Sequence, residues 1–218
     1  MTTTATSKNV LIIKSSPAAK QSVSNEIADY LTAQLQAQTQ DYDFTFRDLN
    51  QNPAPQYDQA ILQTFYAPQD QLSDEQLRIS QPSLQYIAEL KAADIIVFAS
   101  PMHNFSITSL LKAYIDQICR IGHTFLYTKD GQQGLIKNKQ ALIISSAGMD
   151  FQLPENHSID FQTPYLQKVL NFLGIEDVQV VPVQGLGLGA NDPEVIKAQA
   201  KEKIQLFIET LAPAKLRA

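Results

Sequence analysis

Three short polar loops hold the residues whose types and spacing suit ligand chemistry. They are Lys14-Ser15-Ser16 with Ser22-Val23-Ser24-Asn25, then Ser100-Pro101-Met102-His103-Asn104-Phe105, then Ser145-Ser146-Ala147-Gly148-Met149. In the first, hydroxyls and unpaired amides gather ahead of a helical segment, where the positive end of the helix dipole suits a phosphate dianion. Either Ser22 or Ser24 can cap that helix, and simple capping would also account for the serines. In the second, Pro101 stiffens a turn whose backbone and Asn104 can hydrogen-bond the edge of a flat ring while Met102 and Phe105 pack its faces. Both apolar side chains are equally at home as core residues at a strand end. In the third, Gly148 permits a positive φ or a close backbone approach, with a plain turn glycine as the simpler alternative.

Each loop needs a rigid element behind it, and apolar runs alternating with helical patterns supply one. That order signals strand-helix-strand crossovers feeding a parallel sheet. Five strands are read at Val10 to Ile13, Phe44 to Arg47, Asp94 to Ala99, Ala141 to Ser145 and Val178 to Val183. Four are near-continuous apolar runs, as strands covered on both faces should be. The second alternates apolar with polar residues and belongs at a sheet edge. Ile27, Tyr30, Leu31 and Leu35 form one helical stripe, and Ile107, Leu110, Leu111, Tyr114, Ile115 and Ile118 a stronger one.

The fold expected is a three-layer α/β/α sandwich on a five-stranded parallel sheet of order 2-1-3-4-5, with ligands at the carboxyl edge where the three loops meet. Residues 52–71, rich in proline and glutamine, read as a long surface excursion with short helical pieces. Ser73 to Gln76 fits a capping box, and Pro82 is expected to interrupt or restart the helix that follows. Asp130-Gly131 suits a tight hairpin turn inside a second excursion, residues 122–139.

With 218 residues, 44% of them hydrophobic, the chain can bury one sizeable core. One domain is expected over residues 9–218, behind a disordered extension of residues 1–8. The formal net charge of -5 argues against nucleic-acid or anionic-membrane partners. The single cysteine, Cys119, cannot form an internal disulfide, and residues 1–9 lack a secretory pattern, so a cytoplasmic location is expected. His103, His123 and His157 show no metal-ligand spacing, and no nucleophile elbow occurs. Lys14 and Lys20 are read as solvated cations rather than phosphate ligands. Gly185-Leu186-Gly187-Leu188-Gly189-Ala190 formally satisfies a dinucleotide fingerprint, but no further strand follows to complete the unit.

Taken together, these residues resemble the FMN-dependent NADH:azoreductase family of flavodoxin-like fold, also described as FMN-dependent NADH:quinone oxidoreductases. The similarity runs from about Asn9 to the C-terminal helix. Its most specific pieces are residues 10–16, Pro101 to Phe105, Thr124 to Thr128 with Gly134-Leu135, and Thr163-Pro164-Tyr165-Leu166 leading to Phe172-Leu173-Gly174-Ile175. The resemblance implies an FMN phosphate on Ser16, Ser22, Val23 and Ser24, and a ring along Pro101, Met102, His103, Asn104 and Phe105. It places Ser146, Ala147, Gly148 and Met149 at the ring's pyrimidine side, and Tyr127 and Phe172 in the substrate pocket. It also implies a homodimer with the flavin near the subunit interface, and quinone and azo substrates; no side chain is expected to be an obligatory acid or base, since solvent can supply protons at an open site.

The chain departs from the family pattern at His103, Val23 and residues 147–149, where tyrosine, glutamine and a glycine pair are common. Residues 63–70 hold no arginine, so NADH and NADPH both stay open as donors. A flavodoxin-like electron carrier acting with a protein partner is the alternative, and a flavin-free binding module a third reading.

Overall fold

The fold is described from a computed structural model that covers residues 7–38, 41–187, 189 and 192–211. Residues 1–6 of the expected extension, and Leu188 and Ala190 of the glycine-rich segment, lie outside the described residues.

Among the described residues, seven strands and six α-helices follow one another as β1 (Lys8–Lys14), α1 (Val23–Gln36), β2 (Tyr42–Asp48), α2 (Gln59–Tyr66), α3 (Asp74–Ala92), β3 (Ile95–Pro101), α4 (Ser109–Ile118), β4 (Phe125–Thr128), β5 (Gly131–Gly134), β6 (Gln140–Ser146), α5 (Thr163–Leu173), β7 (Asp177–Val183) and α6 (Pro193–Leu211). Five strands form one parallel sheet in the order β2-β1-β3-β6-β7, and β4 with β5 makes a separate antiparallel hairpin. Counting only the strands of the large sheet, this is the order 2-1-3-4-5.

Successive side chains of a strand point to opposite faces, and the central strands use both faces for core. Leu11, Ile13, Ile96, Phe98, Ala141 and Ile143 pack toward α3, α4 and α5. Val10, Ile12, Ile95, Val97, Leu142 and Ile144 pack toward α1 and α6. Each such side chain larger than that of Ala141, fully removed from water, contributes about 1.5–3 kcal/mol. The edge position of β2 follows from its alternation: Phe46 is exposed, while Arg47 pairs with Glu89 and lies 4.9 Å over the Tyr86 ring.

The two excursions are more ordered than their composition suggests. Residues 52–71 contain α2, which packs on α3. Arg120, itself buried, fastens α2 to the domain by donating to the Thr64 carbonyl at 2.8 Å and lying 4.6 Å over the Phe65 ring. The second excursion carries the hairpin, whose two-residue turn is Lys129-Asp130, with Gly131 opening the return strand.

Pro82 does not interrupt its helix. α3 runs unbroken through it, opened by the expected Ser73–Gln76 capping box. Tyr86, Ile87 and Leu90 beyond the proline are core residues, and the Ser83 hydroxyl donates to the Gln117 carbonyl of α4 at 2.7 Å. Those tertiary contacts hold the second half of the helix in line despite one missing backbone donor.

The hairpin is seated by two glycines. A Cβ on Gly134 would lie 2.2 Å from the Gly174 nitrogen and 2.3 Å from the Leu173 carbonyl carbon, both backbone atoms that cannot swing aside. Gly134→Ala should therefore destabilise by about 3 kcal/mol in chemical denaturation, the upper range for overpacking. Gly122→Ala, with open space but a φ of +76°, should lose only about 1–2 kcal/mol of backbone strain.

Cys119 caps α4 and is largely buried, and burial followed by the nearby Asp116 carboxylate pushes its thiol from 9.0 up to about 12. Because the folded value is raised, the neutral thiol persists through the pH range in which the unfolded chain's thiol ionises. Native protein at about pH 8 should react with a thiol reagent orders of magnitude more slowly than protein unfolded in guanidinium. Equal rates in a dye-release assay would contradict this burial.

Candidate functional site

Parallel strands deliver their following loops to one edge, and the three polar loops meet at the carboxyl ends of β1, β3 and β6. Strand register sets their heights: Lys14 pairs with Ala99, and Pro101 with Ser146.

In the first loop Ser22, not Ser24, caps α1, because its extended backbone lets Oγ accept from the Asn25 amide at 3.3 Å. Ser24 lies in the first helical turn with its hydroxyl 3.1 Å from that of Ser22. The amides of Val23 and Ser24 have no partner among the described residues, as the opening of a helix dictates. Ser15 turns inward, donating to the Ala99 carbonyl at 3.0 Å, while the Thr108 hydroxyl donates to the Ser15 carbonyl at 3.0 Å.

Carboxylates near this corner are occupied. Asp29 pairs with Lys14, Glu26 with Lys197 at 2.9 Å, and Asp48 accepts from the Asn50 and Gln51 amides. An oxyanion at the start of α1 would thus meet donors while Asp29 and Glu26 are paired with lysines and Asp48 is hydrogen-bonded to amides. Lys14, Glu26, Asp29, Asp48 and Gln51 border a hollow of about 380 Å³ with Ala19, Lys20, Ser22 and Asn25.

In the second loop residues 103–106 close a tight turn in which His103 and Ser106 exchange backbone hydrogen bonds at 2.9 and 3.0 Å. Its two central residues, Asn104 and Phe105, have φ of +49° and +68°. A phenylalanine in that region is strained, and such strain at a ligand-facing turn is a recognised mark of preorganisation. Phe161 holds the turn from outside: its amide donates to the Phe105 carbonyl at 3.0 Å, and its carbonyl accepts from the Ser106 hydroxyl at 3.1 Å. Phe105 is left half-exposed, and the Asn104 and Phe105 amides have no partner among the described residues. Beside the turn, a hollow of about 540 Å³ is bordered by His103, Asn104, Ser106, Lys112 and Tyr165. Burial, then Asp116, pushes the Tyr165 phenol up to about 12.

In the third loop the carbonyls of Ala147, Gly148 and Met149 accept from the amides of Leu186, Gly187 and Gly185 at 2.9–3.2 Å. The Gly148 and Met149 amides remain without a partner among the described residues. Gly148 does not have a positive φ, and a Cβ there would meet only ordinary contacts; the close approach is permitted by Gly187, where a Cβ would sit 3.0 Å from the Gly148 Cα. The glycine-rich segment after β7 thus serves as a backbone brace for the third loop. Its hydrogen bonds to residues 147–149 replace the phosphate contacts that a dinucleotide fingerprint would make.

Two residues that sequence reasoning missed lie beneath these loops. Gln162 and Gln184 are buried and link Ser100, Ser145 and the Phe151 amide through hydrogen bonds of 2.8–3.3 Å. The available signal was a polar residue late in each apolar strand, Ser100 and Ser145, which the register sets side by side.

Tyr127 and Phe172 come together, but not beside the loops. Phe125 bridges them, with its ring 5.6 Å from Tyr127 and 4.5 Å from Phe172. Phe172 lies in the last turn of α5, whose first residues adjoin the ring loops, so roughly 14 Å of helix separates the two ends at about 1.5 Å per residue. The remaining candidates do not assemble a site. Among the described residues there is no group of three metal-ligating side chains, and His123 sits away from the loops with its basicity lowered by burial and Arg120. No helix among the described residues is long and apolar enough to cross a membrane.

A family model described as having a flavodoxin-like fold matches residues 8–207. The chain is 38% identical over 197 residues to an FMN-dependent NADH:quinone oxidoreductase of Hydrogenovibrio crunogenus, covering 90% of this chain and 97% of that protein. It is 40% identical over 196 residues to one from Burkholderia pseudomallei, covering 89% and 97%. Among solved structures, an FMN-dependent NADH-azoreductase from Bacillus anthracis in complex with FMN superimposes with a TM-score of 0.85 at 26% identity, covering 94% of this chain and all of that one. On its sheet order, its three-loop edge and these relatives, the chain belongs to the FMN-dependent NADH:quinone oxidoreductase family of flavodoxin-like fold.

Proposed function

We propose that this protein is an oxidoreductase that binds FMN across the three loops and carries electrons from NADH or NADPH to quinones and azo compounds. The observation that carries this reading is the set of backbone amides without a partner among the described residues on all three loops, at Val23 and Ser24, Asn104 and Phe105, and Gly148 and Met149. That donor set suits a phosphate at one end and the heteroatom edge of a flat ring at the other. Family membership supplies the identity of the ligand, since the similar proteins are described as FMN-dependent.

FMN held there would supply the redox chemistry between the nicotinamide nucleotide and the acceptor, while the protein binds, orients and stabilises charge. Ser16, Ser22, Val23 and Ser24 hold the phosphate. Pro101, Met102, His103, Asn104 and Phe105 line the ring, with Phe105 kept in place by Phe161. Ser146, Ala147, Gly148 and Met149 border the pyrimidine side, where the Gly148 and Met149 amides steady negative charge. One pocket serves donor and acceptor in turn, which gives ping-pong kinetics. No side chain acts as an obligatory acid or base, because the loops are open to solvent that can supply protons.

The working unit is a homodimer. Within one protomer α5 keeps Tyr127 and Phe172 apart from the ring loops, so these aromatics shape a substrate pocket there only when a second copy brings its hairpin to the edge. The catalytic unit is a single domain over residues 9–218, placed in the cytoplasm, with small molecules rather than nucleic acid or membrane as partners.

Purified protein should be yellow, release FMN on denaturation, bleach on addition of NADH and give parallel double-reciprocal plots with a quinone. A colourless protein that ignores added FMN would overturn the reading, and oxidation of NADH that requires a protein acceptor would turn it into an electron carrier.

A Cβ on Gly148 meets only ordinary contacts at 3.6 Å, so the fold accepts a side chain there. Gly148→Phe should nevertheless weaken FMN binding by more than about tenfold in fluorescence titration, the loss expected for two screened amide donors. A hybrid dimer of Gly148→Phe and Tyr127→Ala chains should recover activity that neither homodimer shows; equal inactivity of the hybrid would place Tyr127 with its own chain's loops.

A further inference from the structure

We infer that Gln162 is a positioning residue that sets the spacing of the two ring-lining loops through a one-way chain of hydrogen bonds. The inference rests on the proposed FMN site for its functional meaning, while the chain itself is a property of the fold. It begins at the Phe151 amide, which donates to Gln184 Oε1 at 3.0 Å. Gln184 Nε2 donates to Ser145 Oγ at 3.3 Å, and Ser145 Oγ donates to Gln162 Oε1 at 2.8 Å. Gln162 Nε2 then donates to the Ser100 carbonyl at 2.8 Å and to Ser100 Oγ at 3.0 Å.

The direction of this chain is fixed at both ends by backbone groups that cannot exchange roles. Turning the Gln162 amide over would set an oxygen against the Ser100 carbonyl, and turning Gln184 over would set an NH2 group against the Phe151 N–H. The result is two buried amides with single permitted orientations, and Gln162 has no exposed surface. Its position is also particular. Ser100 and Ser145 are cross-strand partners in β3 and β6, and the next pair, Pro101 and Ser146, begins the two loops. The Met102 amide donates to the Ser146 carbonyl at 2.7 Å directly above. One side chain therefore locks the last buried rung below the ring-lining loops, and does so only while it both accepts from Ser145 and donates to Ser100.

That double requirement separates glutamine from glutamate. An ionised carboxylate at position 162 accepts from Ser145 but has no proton for the Ser100 carbonyl; a protonated one restores both bonds. The titratable groups around the position are Asp160, whose Oδ1 accepts from the Gln162 and Thr163 amides at 2.9 and 3.0 Å, and Tyr165 one turn into α5. Across the hollow of about 490 Å³ beside Gln184 stand His157 and Lys203. Burial and the adjacent Asp160 favour the protonated form of a carboxyl at this position well above the ordinary range.

The test compares wild type, Gln162→Glu and Gln162→Met by FMN titration at about pH 5.5 and 8.5, with Met102 amide exchange measured on the ligand-free proteins. Relative to wild type at the same pH, Gln162→Glu should bind FMN within about threefold at the lower pH and more than about tenfold weaker at the higher. Exchange at Met102 should quicken in step. Gln162→Met keeps the volume and loses every bond, so it should be weakened at both pH values, and it decides the matter alone if the glutamate variant does not fold. FMN binding equal to wild type in both variants, with Met102 exchange unchanged, would overturn the inference. A wild type that binds no FMN, but whose variants show the stated exchange behaviour, would remove the functional reading and leave the positioning role standing.

Discussion

Parallel pairing of β3 with β6, in the register that sets Ser100 beside Ser145, is the constraint on which the rest of the site depends. Both strands are buried on both faces, so neither can slide by one residue without turning its whole apolar set to the wrong layer. The hydrophobic core therefore does more than stabilise. It fixes the height at which each loop leaves the sheet, and with it the distance between the turn at residues 103–106 and the loop at residues 146–149.

Polar groups at the sheet's carboxyl end turn that register into a shaped edge. Ser15, Thr108, Gln162 and Gln184 direct their side chains to backbone or hydroxyl groups inside the fold, not outward. In a low-dielectric setting each such group is held firmly because leaving it unpaired is expensive. Among the described residues, backbone N–H groups are left without partners on all three loops at once.

Much of this was legible in the residues. Near-continuous apolar runs marked the three inner strands and the edge strand β7, and the alternation in Phe44 to Arg47 put β2 at the other edge. Three polar loops followed from the strand ends, and family resemblance then named a ligand for them. Other features carried no readable signal. Asn104 and Phe105 adopt positive φ without a glycine to announce it, because Phe161 and the His103–Ser106 bridge impose the turn from outside. Gln162 looks like an ordinary residue ahead of a helix, and only the folded register reveals its partners. Pro82 sits inside an unbroken helix because α4 and the core hold both halves, a tertiary effect that local rules omit. The separation of Tyr127 and Phe172 from the loops likewise depends on the length and direction of α5.

The backbone crossing between the third loop and the segment after β7 is lopsided. A side chain grown from position 148 finds room, whereas one grown from position 187 runs into the Gly148 backbone at 3.0 Å. Sequence drift or directed evolution can therefore reshape this wall of the crevice from one direction only. Variants that alter residue 148 sample new crevice geometries on an intact scaffold, while those that alter residue 187 must first move the main chain.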